Sequence, residues 1–302
     1  MKKDINLVRR GLGEGGFGDL PQRYCAYETA KIVILPAPFD ATSTWIKGAD
    51  KGPAAIIEAS ANMETYDIET DCEVYKHGIF TDEPIKETVS PEKMVAELKA
   101  RILKHLKNKK FVVTIGGEHS VSAATIEAHA EMFDKISVLQ LDAHADLRDE
   151  YNSSKYNHAC VMARAKEIAP IVQVGIRSAA IEERELIQNA DNVFPAQDIY
   201  NNNNWFERCL NKLTKNVYLT IDLDVFDPAI MPSTGTPEPG GLSWYQMLDF
   251  LKQLMKQKNV VGFDVVELCP NPQNKAPDFL AAKLVYKLLS YRFCLSSSAV
   301  KF

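Results

Sequence analysis

Six short runs, Ile32 to Leu35, Phe111 to Ile115, Ile136 to Leu141, Ile171 to Gly175, Val217 to Ile221 and Val260 to Val266, are rich in apolar and β-branched residues. They read as buried strands. Pro36 and Pro38 are expected to stop the first of them. Between the runs lie helical stretches at about 54–62, 94–107, 120–132, 161–168 and 178–188, from 243 onward, and at 277–291. The second carries apolar residues at 95, 98, 102, 103 and 106, a helical period with a lysine-rich outer face. No linker, composition break or repeat interrupts the alternation. It predicts one three-layer α/β/α sandwich with a largely parallel central sheet.

With 302 residues the chain is long enough for such a domain. A net charge of −5 gives no reason to expect nucleic acid. No apolar run is long enough to cross a membrane, and no signal sequence follows Met1-Lys2-Lys3, so a cytoplasmic protein is expected. The six cysteines are scattered without a C-x-x-C pair and are expected to be free thiols. Gly11-Leu12-Gly13-Glu14-Gly15-Gly16 matches a dinucleotide fingerprint only formally, because no strand precedes it. Residues 1–29 are instead expected to form an N-terminal arm, flexible or engaged between subunits, ahead of a domain spanning 30–302.

Chemistry gathers where the strands end. The run at 136–141 leads into Asp142-Ala143-His144-Ala145-Asp146, whose three polar side chains share one face of an extended chain. The run at 111–115 leads into Gly116-Gly117-Glu118-His119-Ser120, where the glycines permit a sharp turn and Ser120 is expected to cap a helix. The run at 217–221 leads into Asp222-Leu223-Asp224, with Asp227 before Pro228 read as a turn residue. Any one of these, taken alone, admits a capped-turn reading. Together they bring six oxygen and nitrogen donors to one sheet edge, and such donors suit Mn²⁺, Mg²⁺ or Zn²⁺. Six exceed the needs of one ion, whereas two ions about 3.5–4 Å apart would use them all and activate one water.

At these three motifs the sequence closely resembles the ureohydrolase family of arginases, agmatinases, guanidinobutyrases and formiminoglutamases, over roughly residues 30–290. The resemblance implies an α/β/α sandwich with two Mn²⁺ per chain, and hydrolysis of a guanidino group to urea and an amine. It implies that His119, Asp142, Asp146 and Asp222 hold one ion and Asp142, His144, Asp222 and Asp224 the other. It further implies that Glu267 grips the substrate guanidinium, that Asp146 accepts a proton from the attacking hydroxide, and that His158 is the acid for the leaving amine. A homo-oligomer, trimer or hexamer, is implied as well.

Within the family the chain looks most like an agmatinase, making putrescine from a small cationic guanidino substrate. Gly235-Thr236-Pro237-Glu238-Pro239-Gly240-Gly241-Leu242 and Asp146-Leu147-Arg148-Asp149-Glu150-Tyr151 are similar to agmatinase segments. Arginases usually carry an asparagine where this chain has Arg148, and an acidic pair after the position of Arg177. Guanidinobutyrase, aminopropylagmatine ureohydrolase and arginase remain alternatives, and a non-catalytic metal-binding homologue is the alternative of another class. Asp149 and Glu150 are expected to receive the substrate ammonium, with Arg148 turned outward or paired to one of them.

Overall fold

The computed structural model describes residues 15–295 apart from Asn189 and Asn203. Its centre is an eight-stranded, wholly parallel sheet, formed by β1 (Ile32–Ala37), β2 (Ile79–Thr81), β3 (Phe111–Gly116), β4 (Ile136–Leu141), β5 (Ile171–Ile176), β6 (Val193–Pro195), β7 (Asn216–Asp222) and β8 (Asn259–Val266). The spatial order is β2-β1-β3-β8-β7-β4-β5-β6. Every parallel pairing needs a crossover, and the intervening helices supply it. On one face α2 (Pro91–Lys107), α3 (Val121–Met132) and α4 (Val161–Ile168) pack side by side. On the other lie α1 (Gly52–Ser60), α7 (Trp205–Lys212), α8 (Trp244–Gln257) and α9 (Ala276–Cys294). The expected sandwich is met, with a sheet that is parallel throughout.

The long elements follow their sequence signals. Pro91 at its first turn and Ser90 accepting from Lys93 N open α2. Ser243 and Gln246 form a reciprocal capping box at the start of α8. Two short edge strands and two helices, α6 (Ala196–Asn201) and α7, carry too few residues to show a period and escape a sequence reading. The helix expected at 178–188 is instead a 3₁₀ turn, Ile181–Glu183, followed by α5 (Arg184–Gln188). Pro36 does not end β1, which continues to Ala37. Its edge neighbour β2 pairs only with Ile32 to Ile34, so the missing proline N–H deprives no partner there.

Three further expectations are corrected. Residues 15–29 are no free arm: Phe17 is 1% exposed within the main core, and its N–H donates to Thr81 Oγ1 at 2.8 Å. Gly18 N–H donates to Ser60 Oγ at 2.7 Å, while Gly11 to Glu14 lie outside the described residues. Cys72 and Cys294 are joined in a disulfide that ties the 67–72 turn to the end of α9, and Cys25, Cys160, Cys209 and Cys269 are free. Their separation of 222 residues hides that pairing from the sequence. Ser120 stands at the N-cap position of α3, but its hydroxyl makes no capping bond and instead donates to Glu118 Oε1 at 2.7 Å. None of the helices described is long and apolar enough to cross a membrane.

Removing a buried aromatic leaves a cavity and loses its transfer energy. Phe17→Ala is therefore expected to destabilise the fold by about 3–5 kcal/mol, measured by urea unfolding. A loss below about 0.5 kcal/mol, the range of ordinary surface changes, would return this segment to a peripheral role.

Candidate active site

Chain order and spatial order diverge at the middle of the sheet, where β7 and β8 fill the space between β3 and β4. Ligands gather at such places in open parallel sheets, beyond the carboxyl ends of the strands. Ile115, Val265, Ile221 and Leu141 stand in one row across β3, β8, β7 and β4. One residue further along, Asp142 and Asp222 begin the donor set. His119, His144, Asp146 and Asp224 follow on the adjoining turns.

The turns hold these side chains tightly. A Cβ on Gly117 would lie 2.1 Å from Phe39 O, so only glycine lets the chain pass that close. Asp146 and Glu267 adopt left-handed φ values of 53° and 69°, strain of the kind that collects at functional positions. Carboxylate oxygens are pinned by backbone amides: His144 N donates to Asp142 Oδ1 (2.6 Å), Ala143 N to Asp224 Oδ1 (3.0 Å) and Asp224 N to Asp222 Oδ1 (2.8 Å). His119 N donates to Glu267 Oε1 at 2.7 Å.

What remains free converges. His119 Nδ1 lies 3.0 Å from Asp142 Oδ2, 3.1 Å from Asp146 Oδ2 and 3.4 Å from Asp222 Oδ2. His144 Nδ1 lies 2.9 Å from Asp224 Oδ2 and 3.6 Å from Asp142 Oδ1. Donor atoms of His119, Asp142 and Asp146 lie within 4.8 Å of one another, and so do those of Asp142, His144 and Asp224. Asp142 belongs to both triads and Asp222 adjoins the first.

A row of polar residues beneath this cluster supports it. Thr114, Asp264, Thr220 and Gln140 are paired across the four strands. Lying two residues before a strand-end position, each shares a face with it. Gln140 Nε2 donates to Asp142 Oδ2 at 2.6 Å, and Gln173 Nε2 donates to Gln140 Oε1 at 2.6 Å. Asp264 accepts from Thr125 Oγ1, Tyr218 OH and Thr220 Oγ1 at 2.8, 2.7 and 2.6 Å. With its proton given to Asp264, Thr220 Oγ1 accepts from His119 Nε2 at 2.9 Å. That arrangement turns the Nδ1 lone pair toward three carboxylates. Nδ1 is buried and makes no directional hydrogen bond. A lone pair facing anions is repulsive unless a cation stands between them, so the donor set fits divalent metal ions.

Proton affinities carry the same strain. Burial and the Asp142 charge push Asp146 up to about 7. Burial, with Asp224 and Asp142 beside it, raises Asp222 well above the usual carboxylate range, and burial with Glu118 does the same to Glu267. Burial alone would lower the histidines, yet their carboxylate neighbours raise His119 well above normal and His144 to about 12. Asp142 moves the opposite way, since His119 and His144 outweigh its burial.

Glu267 and His158 line the same cavity as the cluster, with Arg148, Tyr151 and the 43–46 loop as further walls. Asp149 and Glu150 do not. Both are exposed, and Asp149 pairs with Arg164 Nη2 at 2.6 Å and Lys155 Nζ at 3.7 Å. The expected pairing of Arg148 with either is also corrected: its guanidinium lies 4.3 Å over the Tyr151 ring, on the cavity wall. Stacking on an aromatic face competes with an exposed ion pair, which is weak in water. Asp227 is the turn residue expected, its carboxylate accepting from Ala229 N, Gly240 N and Gly241 N. Arg177 was missed as a contributor. Its guanidinium binds the carbonyls of Gly175, Asp224, Glu238 and Pro239 and so ties three of the surrounding loops together. Gln140, Thr220 and Asp264 were missed too, although each is a polar residue two or three places before a site residue in an otherwise apolar run.

The proton balance has a measurable sign. Folded carboxyls with raised pKa keep protons that the unfolded chain has lost above about pH 4, and the two histidines keep theirs above about 6.5. Stability without metal is thus expected to fall as pH rises above about 4 through these groups, with His158 and His129, both lowered to about 4, opposing only up to about pH 6.5. Divalent ions need the deprotonated donors. The rise in melting temperature on adding Mn²⁺ is therefore expected to be larger at pH 8 than at pH 5.5 by thermal-shift assay, and equal rises would count against the donor set.

Comparison with known proteins bears on the same residues. The arginase family matches residues 30–290. N(1)-aminopropylagmatine ureohydrolase of Synechocystis is 39% identical, over 88% of this chain and 90% of the relative. The agmatinase of Pyrococcus horikoshii is 33% identical, over 86% and 91%. The crystal structure of agmatine ureohydrolase from Thermoplasma volcanium superimposes with a TM-score of 0.81 at 31% identity, covering 88% of this chain and 91% of that one. The chain belongs to the arginase family of ureohydrolases, hydrolases of guanidino C–N bonds.

Proposed function

We propose that this ureohydrolase acts on agmatine, free or extended by an aminopropyl group on its amine, and releases urea. The observation that carries the reading is the placement of the Glu267 carboxylate in the same cavity as the His/Asp cluster. A guanidinium bound there meets an anion suited to its N–H fork and is held over the cluster. The substrate class rests on the printed names of the 39% and 33% identical relatives.

His119, Asp142, Asp146 and Asp222 would hold one Mn²⁺, and Asp142, His144, Asp222 and Asp224 the other. Two such ions, when bound, supply an ionised water near neutral pH. Glu267 orients the guanidinium carbon toward it. Asp146 accepts the proton shed during attack. His158 delivers a proton to the leaving amine nitrogen. Burial, with the charges of His119 and His144 adding to it, pushes His158 down to about 4, so its resting ring is neutral. It must take a proton up before giving one, which makes it a carrier and not a standing acid.

Arg148 favours a second reading. A guanidinium on the cavity wall, with no carboxylate partner among the described residues, would welcome an anionic far end such as that of 4-guanidinobutyrate. Side-by-side urea-release kinetics separate the two. Agmatine or its aminopropyl derivative is expected to exceed L-arginine by more than about a hundredfold in kcat/KM. A clear win for guanidinobutyrate, abolished in Arg148→Ala, would replace the amine with an acid and leave the hydrolysis standing.

His158→Ala is expected to lower turnover by roughly 10²–10⁴-fold with Mn²⁺ content unchanged, measured by steady-state kinetics and metal analysis. Wild-type turnover would remove it from the chemistry.

A further inference from the structure

One hydroxyl stands behind His158. Thr42 Oγ1 accepts from the His158 backbone N–H at 3.0 Å and lies 3.3 Å from its ring Nδ1. Whether Oγ1 donates to Nδ1 or accepts from it, His158 Nδ1 is occupied by Oγ1. Nε2 is then the ring nitrogen without a protein partner among the described residues, and His158 lines the cavity.

The clamp is itself anchored. Thr42 lies in the loop after β1, and Asp40 closes the base of that loop by accepting from Gly48 N at 2.6 Å and Ala49 N at 3.1 Å. Lys47 Nζ donates back to Asp40 O at 2.9 Å. Ser43, Thr44, Trp45 and Ile46, between these ties, form one wall of the cavity. His158 opens a 3₁₀ turn, His158–Cys160, which Asn157 caps by accepting from Ala159 N. The ring thus belongs to one loop and is oriented by another. Without Thr42, nothing else described holds its Nδ1 edge.

We propose that Thr42 is a positioning residue for the ureohydrolase reaction, fixing the His158 ring so that Nε2 meets the leaving nitrogen. The inference rests on the proton-carrying role proposed for His158. The effect on kcat assigned here goes through that ring, so this part of the effect must vanish when the ring is gone.

The experiment is a double-mutant cycle on the Mn²⁺-loaded enzyme with agmatine as substrate, or whichever guanidino compound the wild type turns over best. Thr42→Val keeps the shape and removes the hydroxyl, and is expected to lower kcat about 10–100-fold, the scale of a misplaced reacting group. KM, melting temperature and metal content stay near wild type. Thr42→Ser retains the hydroxyl and is expected to recover the rate. In the His158→Ala background Thr42→Val causes no further loss. Equal losses in both backgrounds, or wild-type kcat for Thr42→Val, overturn the proposal while His158 keeps its role. Wild-type turnover by His158→Ala overturns the role of His158, and this proposal with it. Should Thr42→Val not be recovered folded, Thr42→Ala enters the same cycle and is judged by the same outcomes.

Discussion

Four buried carboxylates converge on two imidazoles at one edge of a parallel sheet, and the rest of the molecule is arranged around that charge. Uncompensated ionised groups cost too much to bury, so each is paired, protonated or bound to a cation. Here backbone amides hold one oxygen of Asp142, Asp222 and Asp224 and turn the other toward the centre, where that of Asp142 also accepts from Gln140 Nε2. The cluster is a site because its remaining lone pairs have no better partner in the protein.

Holding such a cluster needs rigidity beneath it. Asp264, Thr220 and Gln140 in the row beneath provide this: Asp264 accepts from Thr220 and Tyr218, and Gln140 is tied to Asp142 and Gln173, with no water needed. The row also decides which nitrogen of His119 faces the donors. Such indirect partners of metal-binding histidines set ring orientation and basicity. Close backbone approach at Gly117 and the left-handed turns at Asp146 and Glu267 pay a conformational cost for the same placement.

Selectivity resides in less constrained parts. The far walls of the cavity come from the 43–46 loop and from Arg148 and Tyr151, all on segments between regular elements. Loops on a fixed scaffold vary without disturbing the core. This is why the reaction class is legible from strand ends, whereas the substrate's far end is not. The position of Arg148 makes the point. Read along the chain it neighbours Asp149 and Glu150, but in space Arg164 takes Asp149 and an aromatic ring takes Arg148.

The sequence by itself determined the strand–helix alternation, the parallel sandwich and the three donor-bearing strand ends, because apolar runs and period-2 spacing are local properties. A resemblance carried on those motifs pointed to the family that the comparisons establish. Only the tertiary structure decided what depends on crossing strands and loops. The row from Thr114 to Gln140 exists because four strands distant in sequence share a register. Phe17 is core because a groove beside Thr81 and Ser60 receives the segment around it. Cys72 meets Cys294, and Thr42 meets His158, across 222 and 116 residues. No local pattern encodes such meetings, since side-chain proximity at that range is set by how the chain returns through the sheet.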